Sequence, residues 1–168
     1  MPAIARDRVG THFGFDASVA IPAVEGYLAK PAGVFVTIRT RDGELRGCRG
    51  TISATCDNVI EETRRMALSS ALEDTRFEPV RVQELDNLTY EVSVLHEPEP
   101  AESLEEFDPF RYGIIVRNRG GRRALMLPNV EGLDTVQKQY EATCRKGGID
   151  PLGPVELERF QVDKFSES

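Results

Sequence analysis

The chain has 168 residues, 40% hydrophobic and 29% charged, enough for one domain, with or without a small lobe, that buries roughly 70% of its unfolded surface. A net charge of −7 disfavours nucleic acid and anionic membranes unless basic residues gather on one face, and no run of about 18 apolar residues is present to cross a bilayer. Three cysteines, an odd number, argue against a disulfide framework and for a reducing, cytoplasmic setting.

The opening MPAIARDRVGTHFGF lacks the apolar core of a secretory leader. Further on, GVFVTIRTRDGELRGCRGTI predicts a hairpin. Val34, Val36 and Ile38 alternate with Phe35, Thr37 and Arg39, the period of a strand. Asp42-Gly43 supplies a primed turn with positive φ at both central positions, so the second strand is expected to begin at Glu44. CDNVIEETRRMALSSALED predicts a helix capped by Asp57, with Val59, Ile60, Thr63, Met66, Ala67, Ser70 and Ala71 as its inner stripe. LTYEVSVL predicts a strand with Leu88, Tyr90, Val92 and Val94 on one face.

The segment Glu97–Asp108 holds five glutamates, one aspartate and two prolines and reads as a solvated connector. YGIIVRNRGGRRALMLP predicts a second hairpin around Gly120-Gly121. DTVQKQYEATCRKGG predicts a second helix, with Asp134 and Gln137 at capping-box spacing and Gly147 as its stop. VELERFQVDKF reads as one strand whose alternation breaks once, as at a bulge. Hairpins with two interspersed helices give a mostly antiparallel α+β domain.

The hexapeptide Leu45-Arg46-Gly47-Cys48-Arg49-Gly50 carries the strongest chemical suggestion. A cysteine used as apolar filler usually has apolar neighbours, whereas Cys48 lies between two glycines and two arginines. Fixed positive charge from Arg46 and Arg49 favours the thiolate, the reactive form of cysteine. Gly47 and Gly50 permit close backbone approach or amides aimed at a ligand. The competing account is a β-bulge with a buried structural cysteine and two solvated arginines.

Other positions speak more quietly. Cys144 shares a helical face with Val136 and Tyr140, which suits a core role. Cys56 precedes a helix start. His12 and His96 are isolated and no Cys-x-x-Cys occurs, so nothing suggests a metal. In EDTRFEPV, Asp74 and Arg76 can form a cap and a salt bridge, or Arg76 can project towards the hexapeptide. Glu91 sits on the strand face opposite Tyr90 and Val92, and would need a partner if covered. RNRGGRR reads as a solvated hairpin tip.

Taken together, GVFVTIRTRDGELRGCRGT, SSALEDTRFEPV, YEVSVLHEPEP, YGIIVRNRGGRRALMLPNV and YEATCRKGGI, in this order, resemble the AMMECR family, also called AmmeMemoRadiSam system protein A. The resemblance spans Gly33 to Phe165. Family members typically carry Leu-Arg-Gly-Cys-Ile-Gly at the hexapeptide, so Arg49 stands where the motif has isoleucine. The first 30 residues look shorter and less helical than the family's usual opening helix. The resemblance implies an α+β fold with a larger and a smaller lobe forming a groove near the hexapeptide. It also implies association with a Memo-like protein and a radical S-adenosylmethionine enzyme, in a pathway that modifies something. It assigns no reaction.

Three functions are compatible with these features. One is an enzyme or carrier with Cys48 as nucleophile or redox thiol, where Arg46, Gly47, Arg49, Gly50, Arg76 and Glu91 surround an anionic substrate. Another is an adaptor that recognises a partner protein without turnover. The third is nucleic-acid binding through the two arginine-rich hairpins, which the net charge opposes. The sequence names no cofactor.

Overall fold

The computed structural model describes residues 1–167. In chain order the first elements are α1 (Pro2–His12), β1 (Val34–Thr40), β2 (Leu45–Gly50), α2 (Val59–Leu72) and β3 (Leu88–Leu95). There follow β4 (Glu99–Ala101), β5 (Gly113–Asn118), β6 (Arg123–Met126), α3 (Val136–Gly147), β7 (Val155–Phe160) and β8 (Val162–Ser166). Two antiparallel sheets with flanking helices result, ordered β2-β1-β3-β8 and β4-β7-β5-β6. The α+β class expected from the sequence is the class observed. The chain divides into two compact units: residues 1–95 with the stretch from Asp163 onward, and His96–Val162.

In the first unit, period-2 alternation sends Val34, Val36 and Ile38 of β1, and Leu88, Tyr90, Val92 and Val94 of β3, to one face of the sheet. There they pack against Ala5 and Val9 of α1 and Val59, Met66, Ala67 and Ala71 of α2. Full burial of each Val, Leu or Ile contributes about 1.5–3 kcal/mol before entropy is subtracted. The N-terminal stretch, expected to be weakly helical, forms the eleven-residue α1, because Ile4, Ala5 and Val9 find a face to cover. Helix α2 is capped by Asn58, whose side chain accepts from the Glu61 amide at 3.0 Å; Asp57 does not fill that role.

The turn between β1 and β2 also differs from expectation. Only Gly43 has a positive φ, 92°, and the Thr40 amide donates to the Glu44 carbonyl at 2.8 Å while the Gly43 amide donates to Thr40. This is a three-residue loop ending in a glycine bulge, so Asp42 keeps an ordinary conformation.

The second unit packs Ile114 and Val116 of β5 and Ala124 of β6 against Tyr140 and Cys144 of α3, with Phe107 and Ile149 closing the cluster. Thr135 caps α3, accepting from the Lys138 amide at 3.2 Å. The helix stops at Gly148, left-handed at φ 63°, one residue later than the sequence suggests. Gly147 is needed for space instead, since a Cβ there would meet Ala124 Cβ at 2.6 Å. The acidic Glu97–Asp108 segment is not a free connector. It supplies β4 to the edge of the sheet and a short 3-10 turn over Leu104–Glu106 before the buried Phe107. VELERFQVDKF is two strands, not one bulged strand: β7 lies in the second unit's sheet and β8 in the first's.

Candidate thiol site of the first unit

The hexapeptide is the edge strand β2. Its register on β1 shifts between Ile38 and Arg39, where Ile38 faces Gly47 and Arg39 faces Leu45. Arg46 is therefore the extra residue of a β-bulge. Its guanidinium forks onto Glu84, Nε to Oε1 at 2.8 Å and Nη2 to Oε2 at 3.1 Å. That guanidinium also holds the Glu84 carboxyl below its usual range. The positive charge of Arg46 is thus already matched.

Alternation along β2 separates the next residues. Thr37 faces Cys48 and Val36 faces Arg49, so Cys48 lies on the face turned away from the helices and Arg49 on the helix side. Arg49 donates its amide to Ser70 Oγ at 2.9 Å and its Nη1 to the Glu73 carbonyl at the end of α2, at 2.8 Å. Gly47 lets α2 approach: a Cβ there would stand 2.2 Å from the Ser70 carbonyl oxygen. Gly50 has the Phe35 ring over its Cα, where a Cβ would stand 2.3 Å from Cγ. Neither glycine takes a positive φ; close approach is what both supply.

Cys48 itself is half-buried. Its Sγ lies 3.3 Å from Thr37 Oγ1, and its amide donates to Asp74 Oδ2 at 2.9 Å. Asp74, 8% exposed, also accepts from Arg76 three times: the amide and Nε at 3.1 Å to Oδ1, and Nη2 at 2.8 Å to Oδ2. The Arg76 guanidinium, followed by the Cys48 and Arg76 amides, holds the Asp74 carboxyl far below the ordinary range despite its burial. The Arg76 side chain is itself 58% exposed. Hydrogen bonding to Asp74 raises its pKa.

Across the sheet, Thr37 pairs with Glu91 of β3. Glu91 meets Lys164 Nζ at 3.3 Å and accepts from Ser166 Oγ at 3.2 Å. Thiol, hydroxyl, carboxylate and ammonium therefore form one row over all four strands of this sheet. Among the residues singled out from sequence, Cys48, Arg76 and Glu91 belong to this face or its rim. Arg46 and Arg49 are bonded elsewhere, and Gly47 and Gly50 shape the packing on either side. The Asp74–Arg76 salt bridge expected from sequence is present; sequence reasoning missed Thr37 and the bond from the Cys48 amide to Asp74. The first was visible only as the in-register partner of Cys48.

The family model AMMECR1 matches residues 2–165. The chain belongs to the AMMECR1 family. A Thermotoga maritima protein is 42% identical over 142 residues, 84% of this chain and 81% of the relative. A Clostridium acetobutylicum protein is 43% identical over 81% of this chain, which spans only 28% of that longer relative. The crystal structure of the uncharacterized protein PH0010 from Pyrococcus horikoshii superposes with a TM-score of 0.83 at 29% identity. It covers 99% of this chain and 89% of its own. The Pyrococcus protein shares the fold, and the names of these relatives state no reaction. Among the described residues of this family member, no helix is long and apolar enough to cross a membrane.

Proposed function

We propose that this AMMECR1-family chain is a component of a modification pathway that handles an anionic substrate at the Cys48 face of its first unit. The observation that carries this reading is the Asp74 clamp. One buried carboxylate fixes both the amide of Cys48 and the guanidinium of Arg76, so the thiol and its neighbouring cation are positioned together. In the reaction the thiol proton leaves to solvent, the sulfur electron pair forms a bond to the electrophilic atom of the substrate, and a leaving group departs with its own pair. Arg76 holds the negative charge of the substrate, while Thr37 orients the sulfur. A Memo-like protein and a radical S-adenosylmethionine enzyme are the partners proposed to supply or take the modified group.

Alkylation kinetics test this. Between pH 6 and 9, Cys48 is expected to react faster than Cys56, with a preference for anionic iodoacetate over neutral iodoacetamide that Arg76→Gln abolishes. Equal labelling of Cys48 and Cys56 with both reagents would refute it. A second reading, an adaptor without turnover, draws support from the packing roles of both glycines and the matched charge of Arg46. That reading expects Cys48→Ser to retain partner binding in full.

A further inference from the structure

Arg49, displaced from the thiol by strand alternation, joins a different constellation. Glu61, Arg64, Arg65, Leu68 and Ser69 recur at helical spacing and form one stripe of α2. With Arg8 of α1 and Arg49 they wall a groove of about 680 Å³, within the roughly 300–1,000 Å³ typical of small-molecule sites. Among the described residues, three of its four guanidiniums bond only neutral oxygens. Arg49 donates to the Glu73 carbonyl at 2.8 Å, Arg65 to Thr55 Oγ1 at 2.8 Å and Arg8 to Thr11 Oγ1 at 3.4 Å. Among the described residues only Arg64 has a carboxylate, Glu61 at 3.8 Å, with the charge of Asp7 also within its field. The Glu73 carboxylate is bonded by Ser69 Oγ at 2.8 Å. A guanidinium carries five N–H donors, so most donors of Arg8, Arg49 and Arg65 remain for a ligand.

We propose that this groove binds a small phosphate-bearing anion, at a site independent of the Cys48 face. Three forks without carboxylate partners suit a multiply charged oxyanion, to which guanidinium pairs bidentately. Met66 and Leu68, which also line the groove, offer apolar contact to whatever carries the phosphate. The concentration of positive charge stands against a chain of net charge −7, which makes it a local device and not a general property of the surface.

Isothermal titration of the full chain at low ionic strength, with inorganic pyrophosphate and in parallel with ADP, tests the site. Saturable binding to one site is expected, weakened roughly tenfold or more in Arg49→Ile and in Arg65→Gln. Arg122→Gln, on the β5–β6 tip, should leave it unchanged. Equal affinity for the two ligands assigns recognition to phosphate alone, and tighter ADP assigns a share to the apolar wall; both support the proposal. Arg49→Ile installs the residue of the family motif, and its thermal melt separates lost binding from lost folding. Absence of saturable binding at millimolar ligand overturns the proposal. So does affinity unchanged in both groove variants, or tighter binding of an oligoglutamate peptide than of pyrophosphate, which would make the groove a peptide seat.

Discussion

Gly47 and Gly50 flank Cys48 for reasons of space, and the two spaces differ in kind. The atom that a Cβ at 47 would meet is the backbone carbonyl of Ser70 inside α2, whereas at 50 it would meet the Phe35 ring. A helix backbone cannot step aside as a side chain can. Gly47→Ala is therefore expected to cost about 1–3 kcal/mol in denaturant unfolding, and Gly50→Ala less. Asp74 is the other residue on which the site depends. In Asp74→Asn an amide N–H₂ confronts donors that now meet a carboxylate, and Arg76 loses its counter-charge. The expected cost is about 2–4 kcal/mol, with Cys48 alkylation losing its preference for the anionic reagent. The Asp74–Arg76 pair was legible from local sequence, but the bond to Cys48 was not, since 26 residues separate Cys48 from Asp74. The alternation of Cys48 with Arg49 sends thiol and guanidinium to opposite faces, against the expectation that the Arg49 charge would act on the thiol.

Among the elements, those with strong local periodicity were recoverable from sequence: the β1–β2 and β5–β6 hairpins, α2, α3 and β3. What local pattern lacked was partner identity. β7 and β8 share one alternating run, and only tertiary pairing assigns them to different sheets. β4 is masked by its glutamates and prolines, since an edge strand tolerates both. The caps shifted by a residue because Asn58 and Thr135 can each accept from the amide three residues on, while the acidic neighbours that also suit the role lie one residue further out. The loop before α2 depends on Glu62, fully buried. Its carboxylate accepts from Thr51 Oγ1, Thr55 Oγ1 and the amides of Thr55 and Cys56, at 2.7–2.8 Å. Glu62→Gln turns one acceptor into a donor among four donors. A loss of about 2–4 kcal/mol is expected, with the amides of residues 51–58 losing protection first in hydrogen exchange.

For the molecule as a whole, acid sensitivity follows chiefly from three buried carboxylates of the first unit, Asp7, Glu62 and Asp74, with the more exposed Glu84, Glu106, Asp134 and Glu167 also lowered. Amides and hydroxyl of the Ser18–Val19 turn lower Asp7. Burial pushes Glu62 up, but its four hydrogen bonds outweigh that and leave it lowered. Arg76 lowers Asp74. A folded pKa below the unfolded one means that the unfolded chain binds more protons as pH falls. The stability these groups contribute is complete at neutral pH and is lost progressively below about pH 5. Unfolding free energies measured from pH 7 to 3 should decline, and the decline should be shallower in Glu62→Gln.

The closing strand carries a temporal consequence. Glu167, just past β8, takes Arg6 of α1 at 2.8 Å through both its oxygens and the Tyr90 amide of β3 at 2.9 Å. A nascent chain emerging from the ribosome thus has its helix and three neighbouring strands outside the tunnel long before the piece that locks them arrives. During that interval β3 exposes an unpaired border to other chains. By topology this half of the molecule closes only after residues 96–162 have been made, and the hazard of mispairing is greatest during that interval.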